Sequence, residues 1–307
     1  MHNLPPDDVA SNVSSRVLAV VVTYNPEPSF AENLRMLRRE VQVVVVDNGS
    51  ENAPMVEAAA KEAGCRLIFN SQNRGIAAAL NQGAALAQAE QFEWLATFDQ
   101  DSLIPPGAIA SNLNCYALHP GRERVASMGM NHRDRGTGRG YHKKWSIIED
   151  EKSWRSVRSS ITSGSMVRMD VMVEIGLFDE SLFIDAVDHD LCMKMRHLGY
   201  LIIENKDVIM VHSVGNSESR RLFGREFAVS NYPPIRQYYF ARNLLEVIRR
   251  SIFVDAVWSW RAFLHLGSCI AKVIVYERNR ILKIIAISEG IADFVLRRFG
   301  PRRTPVG

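Results

Sequence analysis

The stretch WLATFDQD, residues 94–101, decides the fold of this chain and indicates where its chemistry lies. Residues 94–98 are apolar or β-branched, which is typical of a strand buried on both faces. Asp99-Gln100-Asp101 follows directly. Two carboxylates one residue apart at a strand end can bind a hard divalent cation, which can in turn bind a diphosphate. The same pattern is common in solvated turns, so its meaning depends on the rest of the chain.

Apolar segments before residue 94 predict three more buried strands, with a helix after each. The strands are predicted over 16–23, 41–47 and 66–70, and the helices over 29–39, 53–63 and 75–89. This order predicts an α/β fold with a parallel, doubly wound sheet. Ligands of such sheets bind at the carboxyl ends of the strands. Thr23-Tyr24-Asn25 and Asp47-Asn48-Gly49-Ser50 lie at two such ends, so together with residues 99–101 they predict a nucleotide-diphosphate site.

A more irregular pattern follows Asp101. We predict a helix from Pro105-Pro106 to 118, a strand over 124–129 and a long loop with room for hairpins over 132–158. The later predictions are strands over 161–167, 200–203 and 208–212, and helices over 187–198, 233–250, 255–276 and 281–299. The chain is accordingly divided into a flexible tail (1–15), an α/β domain (16–230) and a basic helical extension (231–307).

The composition is that of a globular protein, with 47% hydrophobic residues in 307. The four cysteines are far apart and have no Cys-x-x-Cys spacing, which favours reduced thiols in a cytosolic protein over zinc or disulfides. The first 15 residues have no apolar stretch of the kind found in secretory signals. The sequence also lacks a glycine-rich phosphate loop of the dinucleotide-binding or P-loop type. A metal held by Asp99 and Asp101 would have to neutralise the phosphates instead.

Charge is distributed unevenly along the chain. Residues 220–307 carry 16 Lys and Arg against 6 Asp and Glu, whereas residues 1–219 carry 21 against 28. Because the basic part is also rich in Ile, Leu, Phe and Trp, it suits an anionic membrane better than nucleic acid. Ile281, Leu282 and Ile285 recur at helical spacing. Their side chains could belong to a helix that contacts a membrane or to a helix packed on the α/β domain. The run 253–276 contains too many charged residues to be interpreted as a membrane-spanning helix.

Each polar cluster admits a structural as well as a functional interpretation. Asp47 can accept hydrogen bonds from a base or a ribose, or it can simply cap its turn. Asn73 is a candidate N-cap of the next helix, whose N-terminus offers positive potential to an anion. Arg74 can bind a phosphate or be an ordinary surface arginine.

Three acids, Asp185, Asp188 and Asp190, lie within six residues at the start of a predicted helix. Acids in a first helical turn suit the helix dipole, which alone explains one or two of them. A carboxylate in such a cluster can also serve as a general base, its pKa raised by burial or like charges. His212, at the end of a predicted strand, can be a structural residue or a neutral metal ligand.

The order of these motifs resembles that of the inverting, metal-dependent nucleotide-sugar glycosyltransferases of family 2. The resemblance implies the α/β GT-A fold, a mixed, mainly parallel sheet flanked by helices, with a C-terminal helical extension. Within that family the chain looks most like bacterial rhamnosyltransferases of O-antigen and surface-polysaccharide assembly. The resemblance covers about residues 16–245. It depends on Thr23-Tyr24-Asn25, residues 45–50, Asn73-Arg74-Gly75 with Asn81, residues 98–101, 176–180 and 188–191, Arg196, Gly199 and Val211-His212-Ser213. Asp99-Gln100-Asp101 and residues 183–188 favour the rhamnosyltransferase subgroup.

The resemblance implies a role for each matching position. The donor-binding residues would be Thr23, Tyr24, Asn25, Asp47, Asn73, Arg74, Asp99, Gln100 and Arg242. The ligands of Mn²⁺ or Mg²⁺ would be Asp101, Asp99 and His212. The family's base corresponds to Asp188, although Val187 replaces the usual preceding Glu, which leaves Asp185 as an alternative. Gly164, Ser165 and Asp185 would line the acceptor side. Arg242 and Asn243 would contact the donor phosphates or brace that wall.

The implied reaction is a single displacement that moves L-rhamnose from dTDP-L-rhamnose, or a sugar from another nucleotide sugar, to a glycan or polyprenyl-linked acceptor. The implied location is cytoplasmic, at the inner face of the cell membrane, without nucleic acid and with the C-terminal helices as a surface for a homo-oligomer. Two alternatives remain at this stage. One is a nucleotidyltransferase that makes nucleotide sugars, and the other is an inactive glycan- or nucleotide-binding scaffold.

Overall fold

The computed structural model describes residues 15–134, 140, 142–212, 218–222, 225–229 and 231–303. The predicted tail lies almost entirely outside the described residues. The first elements are β1 (Val17–Thr23), α1 (Phe30–Arg38), β2 (Gln42–Asp47), α2 (Ala53–Glu62), β3 (Arg66–Phe69), α3 (Ile76–Ala89) and β4 (Trp94–Asp99). Their observed ends agree with the predicted ones to within one residue. The prediction succeeds here because each strand is a continuous apolar run between polar turns.

The second half of the chain is more varied. Its elements are α4 (Ala108–Leu118), β5 (Val125–Asp134), β6 (Ile147–Asp150), β7 (Trp154–Val157), β8 (Ser165–Arg168), α5 (Met169–Glu174), α6 (Val187–His197), β9 (Leu201–His212), β10 (Glu218–Leu222), β11 (Arg225–Val229), α7 (Pro234–Ser251), α8 (Ala256–Tyr276) and α9 (Arg280–Val295). Short 3₁₀ turns occupy Arg122–Arg124, Lys144–Ser146 and Glu180–Leu182.

Several predictions in this half require correction. The helix predicted from Pro105 begins at Ala108, because Gly107 has φ +76° and interrupts the helical backbone. The loop predicted over 132–158 holds the end of β5 and the hairpin β6–β7. The strand predicted over 161–167 is confined to β8, since the preceding residues form a turn. The two short strands predicted over 200–203 and 208–212 are one strand, β9, with an irregularity in its pairing to β5.

The strands form a nine-stranded mixed sheet in the order β3-β2-β1-β4-β8-β5-β9-β7-β6. The first four strands in this order are parallel, whereas β8 runs antiparallel to both β4 and β5. Because β5 and β9 are parallel to each other, their carboxyl ends lie at the same edge of the sheet as that of β4. The parallel order predicted for the first four strands is confirmed, and so is the mixed, mainly parallel sheet that the family resemblance implies for the whole chain.

The core has one layer on each face of the sheet. Successive side chains of a strand point to opposite faces. Accordingly, Leu18 and Val20 of β1 belong to one buried cluster, whereas Ala19 and Val21 belong to the other. The first cluster also contains Ala241, Leu244 and Val247 of α7, Trp258 and Leu266 of α8 and Ile287 of α9. The C-terminal helices therefore share the main core of the sheet. In the described part of the chain, every helix is too short or too polar to cross a bilayer.

Candidate functional site

The carboxyl ends of β1, β2 and β4 lie side by side, as the sequence predicts. In the strand register Thr23 is opposite Asp47, and Val22 is opposite Asp99. The side chain of Gln100 connects two of these ends, because its Oε1 accepts hydrogen bonds from Thr23 Oγ1 at 3.0 Å and from Tyr24 N at 2.8 Å. The Tyr24 side chain is 46% exposed beside this link, which makes it accessible to a ligand.

Asp47 caps its own turn. Its carboxylate accepts hydrogen bonds from the backbone N–H and the hydroxyl of Ser50, and the residue is 0% exposed. Ser50 Oγ in turn accepts from Asn25 N at 2.8 Å, and Asn25 Oδ1 accepts from Glu51 N at 2.7 Å. This arrangement fits the capping interpretation of Asp47. Direct contact with a base is not available in this conformation, because the carboxylate has no exposed surface.

The segment Asn73-Arg74-Gly75 is held against β2 by Asn48. Asn48 Nδ2 donates to Asn73 Oδ1 and to Gly75 O, both at 3.1 Å, while Asn48 Oδ1 accepts from Arg74 N at 3.0 Å. The predicted N-cap at Asn73 is wrong: Gly75 occupies that position, and Ile76 N donates to Phe183 O at 2.7 Å. Arg74 is exposed, and its guanidinium has no partner among the described residues.

The turn after β4 presents the two carboxylates of Asp99 and Asp101. The backbone N–H of Asp99 donates to Ser102 Oγ at 3.1 Å and to Ser163 Oγ at 3.3 Å, which fixes the turn. Asp101 is exposed and has no partner among the described residues. Within the described residues, no group of three or more His, Cys, Asp or Glu is arranged so that it could hold a metal ion. Two carboxylates still suit Mg²⁺ or Mn²⁺, because Mg²⁺ typically takes one or two carboxylates together with substrate phosphates and water.

The backbone places His212 at the same edge. It is the last residue of β9, opposite Asp134, and its neighbour Val211 forms a bridge to Leu103, two residues after Asp101. The side chain of His212, and with it the predicted metal ligand, lies outside the described residues.

Gly164 and Ser165 also lie beside β4, where Gly164 N donates to Thr97 O at 2.8 Å. Ser165 is 6% exposed, and its hydroxyl donates to Ile161 O at 2.6 Å. The hydroxyl of Ser165 is thus turned into its own loop, and its place on the acceptor side stays a prediction. Ser163 is the residue of this loop that reaches the Asp99 turn. Nothing in the sequence distinguished it from the neighbouring serines, because its contact with Asp99 spans 64 residues.

The three acids near the start of α6 have different partners. Asp185 pairs with Arg236 at 2.5 Å, and Asp190 pairs with Lys194 at 3.2 Å and Arg250 at 2.9 Å. Among the described residues, no Lys or Arg pairs with Asp188. Its carboxylate accepts from His189 N, and its side chain is 21% exposed, against 14% for Asp185 and 3% for Asp190. Asp188 is thus the most accessible of the three acids and, among the described residues, the one without a Lys or Arg partner.

Burial raises the pKa of Asp185, and the neighbouring charge of Asp188 adds to this, although Arg236 opposes both. Arg236 itself was not identified from the sequence. Although burial opposes it, the charge of Asp185 and, more weakly, that of Asp99 raise the pKa of Arg236. Its guanidinium lies 4.6 Å from the ring centroid of Tyr232. Arg236 is therefore a cation paired with Asp185 in the turn before α6, a contact that only the packing of α7 reveals.

Arg242 is buried, with 1% of its surface exposed. Its guanidinium donates to Asn243 Oδ1 at 2.8 Å, to the carbonyls of Leu182 and Gly300 at 3.2 and 2.8 Å and to Tyr238 Oη at 3.2 Å. The prediction that Arg242 contacts the donor phosphates is corrected on this ground, because its donors are already taken and solvent does not reach them. The geometry fits the other interpretation, in which Arg242 braces the wall.

Comparison with known proteins places this chain in a family. The model of glycosyl transferase family 2 matches residues 18–169. The dTDP-rhamnosyl transferase RfbF of Shigella flexneri is 32% identical over 296 residues, which cover 91% of this chain and 96% of RfbF. The chain belongs to glycosyltransferase family 2. The uncharacterized glycosyltransferase YwdF of Bacillus subtilis (strain 168) is 27% identical over 173 residues, covering 53% of this chain and 62% of YwdF.

Solved structures show that this family 2 glycosyltransferase has the GT-A fold. S. aureus TarS 1-349 in complex with UDP-GlcNAc aligns with a TM-score of 0.57 at 16% identity, over 92% of this chain and 81% of TarS. The complex of the same protein with UDP aligns with a TM-score of 0.53 at 16% identity, over 91% and 71%. The predicted family, fold and glycosyltransferase activity are thus confirmed. The nucleotidyltransferase and scaffold alternatives are set aside.

Proposed function

We propose that this family 2 glycosyltransferase transfers L-rhamnose from dTDP-L-rhamnose, with inversion, to a glycan or polyprenyl-linked acceptor in cell-surface polysaccharide biosynthesis. The observation that carries the proposal is the 32% identity to the dTDP-rhamnosyl transferase RfbF, which extends over nearly the whole of both chains. A match of this extent includes the acceptor side and the C-terminal helices as well as the donor edge.

The donor side of the proposal uses the ends of β1, β2 and β4. The base would lie against the exposed Tyr24 ring and the Thr23–Gln100 link, with Asp47 and Asn25 holding the adjoining turn. Asn73 and Arg74 would face the diphosphate, because both are exposed at the start of α3. A guanidinium makes strong charge-assisted hydrogen bonds to phosphate oxygens.

Asp99 and Asp101 would hold Mn²⁺ or Mg²⁺, with His212 as a further ligand. When bound, the ion would stabilise the negative charge that develops on the departing diphosphate. Arg74 and Arg236 add positive charge around the same edge, since Arg236 already interacts with the charge of Asp99. Both positive charges would stabilise the negative charge on the departing thymidine diphosphate.

Asp188 would act as the general base. Its carboxylate takes the proton of the acceptor hydroxyl while the acceptor oxygen forms a bond to C1 of rhamnose. The bond between C1 and the diphosphate oxygen breaks on the opposite face, and thymidine diphosphate leaves with that electron pair. Asp185 is less suited to this role, because its carboxylate is already paired with Arg236. A single displacement of this kind inverts the anomeric centre.

The test is an assay of purified protein with a panel of nucleotide sugars, each with and without Mn²⁺ or Mg²⁺. The proposal expects dTDP-L-rhamnose to be consumed fastest, metal to be required, and NMR of the product to show inversion at C1. Faster turnover of another nucleotide sugar would contradict the proposed donor, and a product with retained configuration would contradict the mechanism.

We also propose that the outer face of α8 and α9 rests on the anionic inner face of the cell membrane, where a polyprenyl-linked acceptor would be found. Exposed apolar side chains lie on these two helices and on the turn before α8: Phe253, Val257, Trp260, Phe263, Leu264, Ile281, Leu282 and Ile285. The two acids between 252 and 288, Asp255 and Glu277, are buried in ion pairs with Arg158 and Lys283. Arg261, Arg278 and Arg280 are exposed there. An apolar surface bordered by cations suits anionic lipid, and each cation contributes about 1 kcal/mol near such a surface.

Co-sedimentation with phosphatidylcholine vesicles, with and without phosphatidylglycerol, tests this face. The double variant Trp260→Ser/Phe263→Ser should lose binding to the anionic vesicles. Leu118→Ser is the matched control, because Leu118 is 75% exposed at the distant end of α4. Equal binding by both variants would reject the membrane face. A concentration-dependent dimer that the double variant abolishes, without any vesicle binding, would assign the face to a second copy instead.

A further inference from the structure

The turn that leads into α6 has an unusual backbone. Phe183, Asp185 and Ala186 have φ values of +65°, +65° and +61°, a region that side chains other than glycine rarely adopt. Phe183 has ψ −67°, and Ile184 N donates to Leu182 O at 2.8 Å, which together define the strained form of γ-turn. A backbone of this kind persists only where its surroundings hold it in place.

The surroundings that hold this turn come mainly from α7. Asn243 Nδ2 lies 2.6 Å from Leu182 O, 2.7 Å from Ile184 O and 3.2 Å from Asp185 O, and the residue is 0% exposed. The side-chain amide of Asn243 thus contacts three carbonyl oxygens of the turn. Two of them, those of Leu182 and Ile184, flank Phe183. Because of the positive φ values, the three carbonyls are directed towards the same donor, Asn243 Nδ2.

Arg242 determines which way the Asn243 amide faces. Arg242 Nε donates to Asn243 Oδ1 at 2.8 Å, and because a guanidinium cannot accept a hydrogen bond, the opposite atom must be the donor Nδ2. On the other side of the turn, Phe183 O accepts from Ile76 N at 2.7 Å. A Cβ on Gly75 would lie 2.6 Å from that oxygen, so the turn fits closely against the start of α3.

We propose that Asn243 is a positioning residue for Asp188. It holds the strained turn, and the turn fixes the direction in which α6 begins and therefore where the Asp188 carboxylate points. This inference rests on the proposed function, in which Asp188 receives the acceptor's proton. It makes α7 a part of the catalytic machinery, although the sequence places that helix in the C-terminal extension.

The test compares Asn243→Ala with Asp188→Asn in the full-length protein, with the nucleotide sugar that the panel identifies as donor. Misplacement of a reacting group by about 1 Å can cost about 100-fold in rate. We therefore expect kcat of Asn243→Ala to fall by up to about 100-fold, while the KM for the donor stays near that of the wild type. Val247→Ala, a buried substitution one turn along α7, is the control for general destabilisation and should lower Tm without this loss of kcat.

A second substitution separates positioning from packing. Glycine adopts positive φ without strain, so Ala186→Gly in the Asn243→Ala background should recover part of the lost kcat. No recovery would show that Asn243 acts through general packing and would overturn the inference, as would a wild-type kcat in folded Asn243→Ala. If Asn243→Ala does not fold, Arg242→Lys takes its place, because lysine lacks the planar donors that reach Asn243 and Leu182 together. Its expected result is a smaller loss of kcat with the same recovery by Ala186→Gly, and no loss would overturn the inference.

The two proposals fail in distinguishable ways. Turnover by Asp188→Asn near that of the wild type would refute the assigned base and the mechanism that depends on it. An inactive Asp188→Asn beside a fully active Asn243→Ala would refute only the positioning role.

Discussion

The donor edge and the base-bearing turn are built differently, although they belong to one site. At the donor edge the polar side chains come from adjacent parallel strand ends, and several of their contacts are local, such as Asp47 with Ser50. The turn before Asp188 depends on Asn243, which lies 61 residues from Leu182. The first region therefore depends mainly on the parallel strands, with Ser163 as a long-range support of the Asp99 turn, whereas the second needs the C-terminal helices to be docked.

Substitutions in the two regions should therefore affect different steps of the reaction. Substitutions at the donor edge should alter binding of the nucleotide sugar and leave the rest of the site in place. Substitutions at the turn, or in α7 beneath it, should alter the rate of transfer and leave donor binding in place. Single substitutions can test this separation of donor binding from the rate of transfer.

The largest effect is expected for Asp188→Asn. Loss of a general base typically costs about 10²–10⁴ in rate, so kcat should fall within or beyond that range while donor binding by calorimetry stays near that of the wild type. Asp190→Asn is the matched control, because Asp190 is paired with Lys194 and Arg250 and should affect stability first. A stronger loss of donor binding than of kcat would place Asp188 on the donor side and break the comparison.

Asp101→Ala should act on donor binding. Without this exposed carboxylate, affinity for the nucleotide sugar in the presence of Mn²⁺ should fall about 10–100-fold, or roughly 1.4–2.8 kcal/mol. With a chelator present, wild type and variant should bind equally weakly. Glu57→Ala, an exposed acid on α2, serves as the control for a lost surface charge. An unchanged metal dependence in calorimetry would exclude Asp101 as a ligand.

Arg74→Ala should have a more moderate effect at the same edge. Because an exposed guanidinium is screened by water and salt, we expect the KM for the donor to rise about tenfold, roughly 1.4 kcal/mol. Arg74→Lys should recover part of that loss, since lysine retains the charge but not the two-pronged hydrogen bonding. Arg122→Ala, an exposed arginine just before the amino end of β5, is the control. Steady-state kinetics with equal KM values for both alanine variants would count against a phosphate contact.

The last prediction concerns the stability of the fold at acid pH rather than activity. Glu246 of α7 is fully buried; although burial opposes it, hydrogen bonds from Arg249, Arg297 and Arg250 hold its pKa well below the ordinary 4.5. A carboxylate with a depressed pKa stabilises the fold above about pH 4.5, and the stabilisation is lost as the pH falls towards the lowered value. Glu246→Gln should therefore cost about 2 kcal/mol of unfolding free energy at pH 7, and less below pH 4.5.

Urea unfolding of Glu246→Gln at several pH values checks this prediction. Glu289→Gln is the control, because Glu289 pairs with Arg302 on a partly exposed surface and should change stability by only about 0–1 kcal/mol. A difference between Glu246→Gln and wild type that stayed constant down to low pH would show that the carboxylate is not the titrating group.

The accuracy of the sequence predictions follows the same division. The strands β1, β2 and β4 were predictable because each is an apolar run between polar turns, and the order of the motifs identified the family. The roles of Asp185 and Asp188 could not be separated from the sequence, because their partners are decided by α7. For the same reason Arg236 was missed and Arg242 was assigned to the donor rather than to the interior.

The parallel half of the sheet, the edge at which the site is predicted and the family of the chain could all be inferred from the sequence alone. These depend on patterns of apolar and polar residues that repeat over a few positions. The tertiary structure was needed to show that, within the part of the chain that it describes, Asp188 is the acid of this turn without a Lys or Arg partner, and that α7 holds the strained turn before it. Such contacts join residues about 60 positions apart, and a hydrogen bond or ion pair over that distance leaves no periodic signal in the chain.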